Sequence, residues 1–154
     1  MLFSPSARYA ILALAYLAGQ EPKKPMAVTS IAENAGVPAK FLAKILISLK
    51  NHQVLKAVKG PGGGYYLFMP AEKVRIIDIV KAVESSYDGA SRCVLGLDMC
   101  TDDHPCPLHW VWKSFRADVD DKIHSLTLLE LSEKLKEKRT YLKAPPLEPE
   151  DLMD

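Results

Sequence analysis

Apolar positions return at helical spacing from the start of the chain. Ala7, Ala10, Ile11, Leu14 and Leu17 form one stripe within residues 6–18, and Ser6 or Ser4 stands where a cap belongs. Tyr9, Leu12 and Tyr16 fall off the stripe, so this helix is apolar most of the way round and belongs in an interior. Gly19 stops it. Ser30-Ile31-Ala32-Glu33 has the spacing of a capping box and predicts a short helix to about Ala35. Gly36 then supplies a left-handed residue for a tight turn, and Pro38 suits the first turn of the next helix, 38–50. That helix buries Phe41 or Leu42 together with Ile45, Leu46 and Leu49, and leaves Lys40, Lys44 and Lys50 largely outside. Two helices on a short glycine turn make a helix-turn-helix.

The period changes after His52. Residues 54–59 and 65–69 read as two short strands around Gly60-Pro61-Gly62-Gly63-Gly64. A phosphate-cradling glycine loop needs a strand before it and a helix after it. Here Tyr65-Tyr66-Leu67-Phe68 follows and no Lys-Ser/Thr pair completes a P-loop, so the glycines form a hairpin tip. Bare backbone N–H groups at such a tip still come close to a polyanion, and Lys56 and Lys59 sit at its base. A helix-turn-helix followed by a basic hairpin is a winged helix. Ile76, Ile79, Val80 and Val83 then give an amphipathic helix over 75–86. Residues 88–107 show no period. Leu108, Val111, Trp112, Phe115, Val119 and Ile123 give a long helix over 107–124, with Trp110 off its stripe. Thr127-Leu128-Leu129-Glu130 is a second capping box and opens a helix to about Arg139. The expected fold is mainly α with a small β-hairpin. A winged helix-turn-helix domain covers 1–87, a cysteine-rich loop 88–107, the long helix and its successor 108–140, and a Pro-rich acidic tail, read as disordered, 141–154.

Charge changes this picture more than composition does. Up to residue 75 the chain holds ten Lys/Arg against three acids; after it, ten Lys/Arg against sixteen acids. The basic half, which is also the winged helix, is suited to a polyanion partner. No run of eighteen apolar residues and no secretory leader pattern is present, which points to a cytoplasmic chain without a membrane span. No nucleophile–base pair stands out, so an enzyme is not expected.

Three cysteines within fourteen residues make a poor disulfide framework and point to metal or redox chemistry. The constellation is Cys93-x6-Cys100-x5-Cys106-x2-His109. Thiolates suit iron–sulfur clusters, zinc or Cu(I). Only Cys106 and His109 have the spacing of a zinc knuckle. His109 opens the long helix, whose positive N-terminal end favours a thiolate or an anionic cluster. His104, like His52 and His124, reads as a surface histidine. Three unrelated cysteines remain the plain alternative.

The stretches "SARYAILAL", "IAENAGVPAKFLAKIL" and "VKGPGGGYYL", with the Cys-Cys-Cys-His loop, resemble the Rrf-two family of bacterial transcription regulators over residues 1–135. The glycine-rich wing is the most specific of these. The resemblance implies a homodimer in which helix 107–124 packs against its twin through Trp112, Phe115, Val119 and Ile123. It implies double-stranded DNA as partner, bound at a pseudo-palindromic operator with helix 38–50 in the major groove. Ser30, Lys40, Phe41, Lys44, Lys59, Gly60, Gly62 and Gly63 are then the DNA-contact candidates. Lys59 stands where relatives often carry an arginine that enters the minor groove.

Cluster-binding relatives use three cysteines of this loop and a fourth ligand. In one group that ligand is a histidine placed like His109. In another it is an acidic residue of the first helix, where this chain has Arg8, which cannot ligate. The resemblance thus implies a 2Fe–2S rather than a 4Fe–4S cluster on Cys93, Cys100, Cys106 and His109, with Asp98, Asp102 and Asp103 as further possible donors. The expected function is a regulator sensing redox state, nitric oxide or iron–sulfur status. The alternatives are a cluster-free regulator answering to a small molecule or partner protein, and an iron–sulfur electron-transfer or carrier protein.

Overall fold

The computed structural model describes residues 3–84, 87, 93–97 and 100–142, except for the side chains of 139–142. The first helix is the centre of the molecule. Helix α1 (Pro5–Ala18) is capped by Ser4, whose side chain accepts from the Ala7 N–H at 3.1 Å, which decides between the two serines. Ala7, Ala10 and Ala13 are fully buried and let other helices come close; Leu14 and Leu17 fill the space between them.

Helices α2 (Val28–Ala35) and α3 (Ala39–Asn51) pack on α1 and form the helix-turn-helix. Gly36 takes the left-handed conformation, φ 70°, that the turn requires. Helix α2 differs from expectation at its start. It begins at Val28, and no Ser30–Glu33 capping box forms. The Met26 N–H donates to the Tyr65 carbonyl and the Tyr65 N–H donates to Met26, which holds the chain extended up to Ala27. The helix therefore starts two residues before Ser30, whose carbonyl accepts from Asn34 Nδ2. Pro38 caps α3 from outside its first turn. Of the two candidates for the α3 core, Leu42 is buried and Phe41 is 58% exposed. Leu42, Leu46 and Leu49 are fully enclosed, each contributing about 1.5–3 kcal/mol of hydrophobic stabilisation.

Strands β1 (Leu55–Val58) and β2 (Gly64–Leu67) pair antiparallel, with Leu55 opposite Leu67 and Val58 opposite Gly64. A 3-10 turn over Ala71–Lys73 leads to α4 (Ile76–Val83), shorter at its C-terminal end than the pattern suggested. Helix α5 (His109–Ser125) begins after the cysteine segment, and α6 (Leu128–Leu142) returns to lie against α1. The Ser132 hydroxyl, buried, donates to the Ala15 carbonyl at 2.6 Å and pins α6 to α1. Ile76 N–H donates to Leu126 and Leu128 N–H to Val74, so the α5–α6 junction is stitched to the start of α4. Residues 141 and 142 are helical; the rest of the expected tail lies outside the described residues, as do 88–92, 98 and 99 of the cysteine loop.

The second capping box does form. Glu130 accepts from the Thr127 N–H at 2.9 Å and from the Thr127 hydroxyl at 2.7 Å, while Thr127 Oγ1 accepts from the Glu130 N–H. The Thr127 N–H, then its hydroxyl, hold the Glu130 carboxyl below the usual range. A depressed folded value means that this stabilisation is complete at neutral pH and is lost as pH falls through that value. Thr127→Ala is expected to cost about 1 kcal/mol, lowering the melting temperature by about 2–4 °C at pH 7. Melts repeated at progressively lower pH should show this gap narrow by the part that the hydroxyl gives to the Glu130 carboxylate, while the bond from the Glu130 N–H to Thr127 Oγ1 keeps the rest.

Helix α5 divides into two parts. Val119 and Ile123 pack against the core. Leu108, Trp110, Val111 and Phe115 stay exposed, Val111 at 74%. The six apolar positions of the sequence stripe thus serve two different surfaces.

Candidate DNA interface and cysteine site

The exposed face of α3 carries Lys40, Phe41, Lys44 and Ile47. Lys40, Lys44 and Ile47 line up because positions i, i+4 and i+7 share one side of a helix. Phe41 is steadied by Tyr9 of α1, ring centroids 6.5 Å apart. Tyr9 is itself buried, and burial raises its phenol above the usual range. Ser30 is half-buried on α2. Sequence periodicity placed the lysines correctly but gave no reason to single out Ile47.

Gly60, Gly62 and Gly63 form the tip between β1 and β2, with Lys59 beside them, and Lys59, Gly60 and Gly62 are exposed. The Gly63 N–H donates to the Gly60 carbonyl and closes the turn. Two of the glycines are dictated by close approach. A Cβ on Gly63 would lie 2.2 Å from the Val58 carbonyl oxygen, and one on Gly64 2.1 Å from that of Met26. Gly64 also has φ 146°, a region closed to other residues. At the base, the Lys56 ammonium lies 4.6 Å from the centre of the Phe68 ring. The wing is therefore a basic, glycine-tipped hairpin anchored to the segment that opens α2.

The second site surrounds the start of α5. His109 is 2% exposed, the one buried histidine among the described residues. Its Nδ1 lies 3.1 Å from Cys100 Sγ and its Nε2 2.8 Å from Asp102 Oδ1. The Lys113 ammonium donates to the other Asp102 oxygen at 2.6 Å. Lys113 first, then His109, hold the Asp102 carboxyl below the usual range. The Leu95 N–H, then that of Leu97, point at Cys93 Sγ and lower its thiol; a bond with the Cys100 side chain and the Arg116 guanidinium act in the same direction. The Leu95 contact is 3.4 Å. Arg116 is buried on α5 and lies over the Trp112 ring. The Cys106 carbonyl accepts from the His109 N–H.

The structure thus brings Cys93, Cys100 and His109 into one neighbourhood, with Cys106 bonded to it through the backbone. All three thiols are half-buried, and none is joined in a disulfide. Among the described residues no three donors yet enclose a point as a finished metal cage. Asp103 and His104 are exposed, and Asp98 lies outside the described residues. Trp112 and Phe115 stack at 5.6 Å on α5. Ile123 belongs to the chain's own core, and Val119 leans on it. Sequence reading missed the roles of Lys113 and Arg116. Their i+4 and i+7 spacing from His109 was the available signal.

The chain matches the model of the Rrf2 (Rrf-two) family, described as Iron-dependent Transcriptional regulator, over residues 3–134. The chain belongs to this family. It is a DNA-binding transcriptional regulator of winged-helix type, and members of the Rrf2 family are regulators rather than enzymes. The HTH-type transcriptional regulator IscR of Sodalis glossinidius is 29% identical over 131 residues, covering 85% of this chain and 78% of IscR. Among solved structures, CymR, the global cysteine regulator of B. subtilis, superposes with a TM-score of 0.70 at 23% identity, covering 86% of this chain and 96% of that one. The oxidised form of Staphylococcus aureus CymR superposes at 0.66 with 26% identity, covering 86% and 97%. The Rrf2 fold accounts for the winged helix, the wing and the long α5. No described helix is long and apolar enough to cross a membrane.

Proposed function

We propose that this Rrf2 regulator acts as a homodimer on a pseudo-palindromic operator and adjusts its grip through a 2Fe–2S cluster held by Cys93, Cys100, Cys106 and His109. The observation that carries the reading is the contact between Cys100 Sγ and the buried His109 Nδ1 at the first residue of α5. A soft, half-buried thiol packed against a buried, borderline imidazole fits a thiolate-rich iron site. The lowered Cys93 thiol supports the fit, because the thiolate is the ligating form. The buried Arg116 and the N-terminal end of α5 offset the negative charge of several thiolates.

When bound, such a cluster supplies a one-electron couple and a centre sensitive to oxidants. The protein's own residues would turn that state into DNA affinity. Leu108, at the cap of α5, with Val111 and Phe115 on its first turns, gives an exposed apolar stripe suited to the same stripe of a second copy, with Trp112 stacked on Phe115. Of the sequence-based interface, Ile123 is buried in this chain's own core and Val119 is half-buried against it, which leaves the earlier turns of α5 as the more open part. The cysteine segment leads directly into α5, so a change in its order shifts that face. The spacing of the two α3 helices shifts with it, and both half-sites must be met at once.

The test is anaerobic purification with iron and acid-labile sulfide counted per chain. About two of each are expected, lost in Cys106→Ala and altered in His109→Ala. Near-zero iron and sulfide after anaerobic reconstitution would overturn the cluster and leave DNA binding intact. Equal operator affinity with and without the cluster would overturn the coupling.

One observation favours a second reading, a cluster-free regulator answering to a small molecule. A cleft of about 310 Å³ lies between α1, the segment after it, β2 and α6, with Leu17, Phe68, Met69 and Leu129 among its walls. Operator affinity indifferent to all three Cys→Ala changes would favour that reading.

A further inference from the structure

A buried imidazole needs partners for both ring nitrogens. Asp102 and Lys113 decide which nitrogen of His109 does what. Asp102 is an exposed loop carboxylate with both oxygens engaged, Oδ1 at His109 Nε2 and Oδ2 at Lys113. Lys113 stands one turn after His109 on α5, so a rigid helix sets the separation of the two groups that clamp the carboxylate. A carboxylate is an acceptor only, so the proton between it and the ring sits on Nε2. This holds whether the ring is neutral or cationic. The remaining nitrogen, Nδ1, faces the cysteine side at 3.1 Å from Cys100 Sγ. Ring rotation is further restricted by Trp110, edge-on to the imidazole at 4.8 Å, with the Lys113 ammonium 5.4 Å from the centre of the indole.

We propose that Asp102, clamped by Lys113, is the positioning residue that fixes the proton on His109 Nε2 and presents Nδ1 alone to the cysteine side as a ligand. Asp102 is thereby an orienting partner of the histidine and not itself a ligand. The assignment rests on the ligand set proposed above. A carboxylate behind the imidazole also raises its donor strength. Removing that negative charge should raise the reduction potential of a bound cluster. Removing the Lys113 charge, which leaves the carboxylate uncompensated, should lower it. Generic damage would move both variants the same way.

The experiment has two arms. In the cluster-free protein, ¹⁵N–¹H NMR of histidine-labelled wild type at fixed neutral pH should show a protonated Nε2 on His109. Its hydrogen-bonded proton should be protected from exchange, and that protection should be lost in Asp102→Ala, which removes the acceptor, with the melting temperature unchanged. A protonated Nδ1 with bare Nε2, or protection that survives in Asp102→Ala, would overturn the proposal. In reconstituted protein, histidine labelled at one nitrogen should give strong electron–nuclear coupling to Nδ1. Potentials should shift up in Asp102→Asn and down in Lys113→Met. Coupling to Nε2, or shifts of one sign, would overturn it while leaving the cluster in place. A wild type that takes up no iron would remove the ligand set instead, and the first arm would still decide the role of Asp102.

Discussion

Gly64→Ala is expected to abolish specific DNA binding while the helical core stays folded. The added Cβ would sit 2.1 Å from the Met26 carbonyl oxygen, 2.3 Å from its carbon and 2.8 Å from the Ala27 nitrogen. All three are backbone atoms, so no side chain can swing aside. The same Met26 peptide exchanges both hydrogen bonds with Tyr65 that hold the wing to the segment before α2. Relief of the clash therefore requires the wing to detach from the helix-turn-helix. The backbone at φ 146° adds strain of about 1–3 kcal/mol for any residue with a side chain. Leu14, Leu42, Leu46 and Ile79 are untouched, so helicity and a cooperative melt should survive at lower temperature. Gly62→Ala is the contrast. Its φ is also positive, but a Cβ there meets nothing within 4 Å, so the cost should stay near about 1–2 kcal/mol with the wing in place. The check is gel-shift or anisotropy on a duplex selected by the wild type from a random pool, with circular dichroism melts of both variants. Wild-type affinity in Gly64→Ala would show that the wing does not take part in recognition.

That glycine explains how far the sequence could be read. The hairpin was legible because no helix pattern follows the glycines, and the need for Gly63 and Gly64 is local and steric. The Ser30 box was misleading because helix starts respond to what precedes them. Here that is a bridge between Met26 and Tyr65, residues 39 positions apart in sequence, which no local pattern encodes. Periodicity gave the α5 stripe correctly but not its division. A spacing of 3.6 says that Phe115 and Ile123 share a face, and is silent on whether that face meets the chain's own core or another surface. The cysteines and His109 were visible as residue types with ligand chemistry. Asp102 was visible only as one of several loop carboxylates. Its role depends on a loop conformation that sets it against the first turn of α5, which is a tertiary fact.

Replacing Lys40, Lys44 and Lys59 together with alanine is expected to weaken DNA binding at all sequences and to flatten its salt dependence. The three lie on the exposed face of α3 and beside the wing tip, away from the enclosed core, so folding should be little changed. Each phosphate contact releases counterions, and losing one reduces the slope of log affinity against log salt by about 0.9. If all three touch phosphate in both halves of a dimer, six contacts go and the slope falls by about five. A base-edge contact behaves differently. It costs about 1–3 kcal/mol at one base pair and relaxes preference there without much change in slope. Single variants separate these roles. Lys44→Ala or Lys40→Ala with an unchanged slope and a relaxed position in a selected site would mark a base reader. A fall in slope with specificity retained would mark a phosphate anchor. Lys134, paired with Glu137 at 2.9 Å on α6, is the control: Lys134→Ala should leave both affinity and slope as they are. Should the triple variant keep the wild-type slope, α3 and the wing would not be the face that meets DNA. The excess of basic residues before position 76 would then have to act through other lysines, with Lys23, Lys24 and Lys73 next in line.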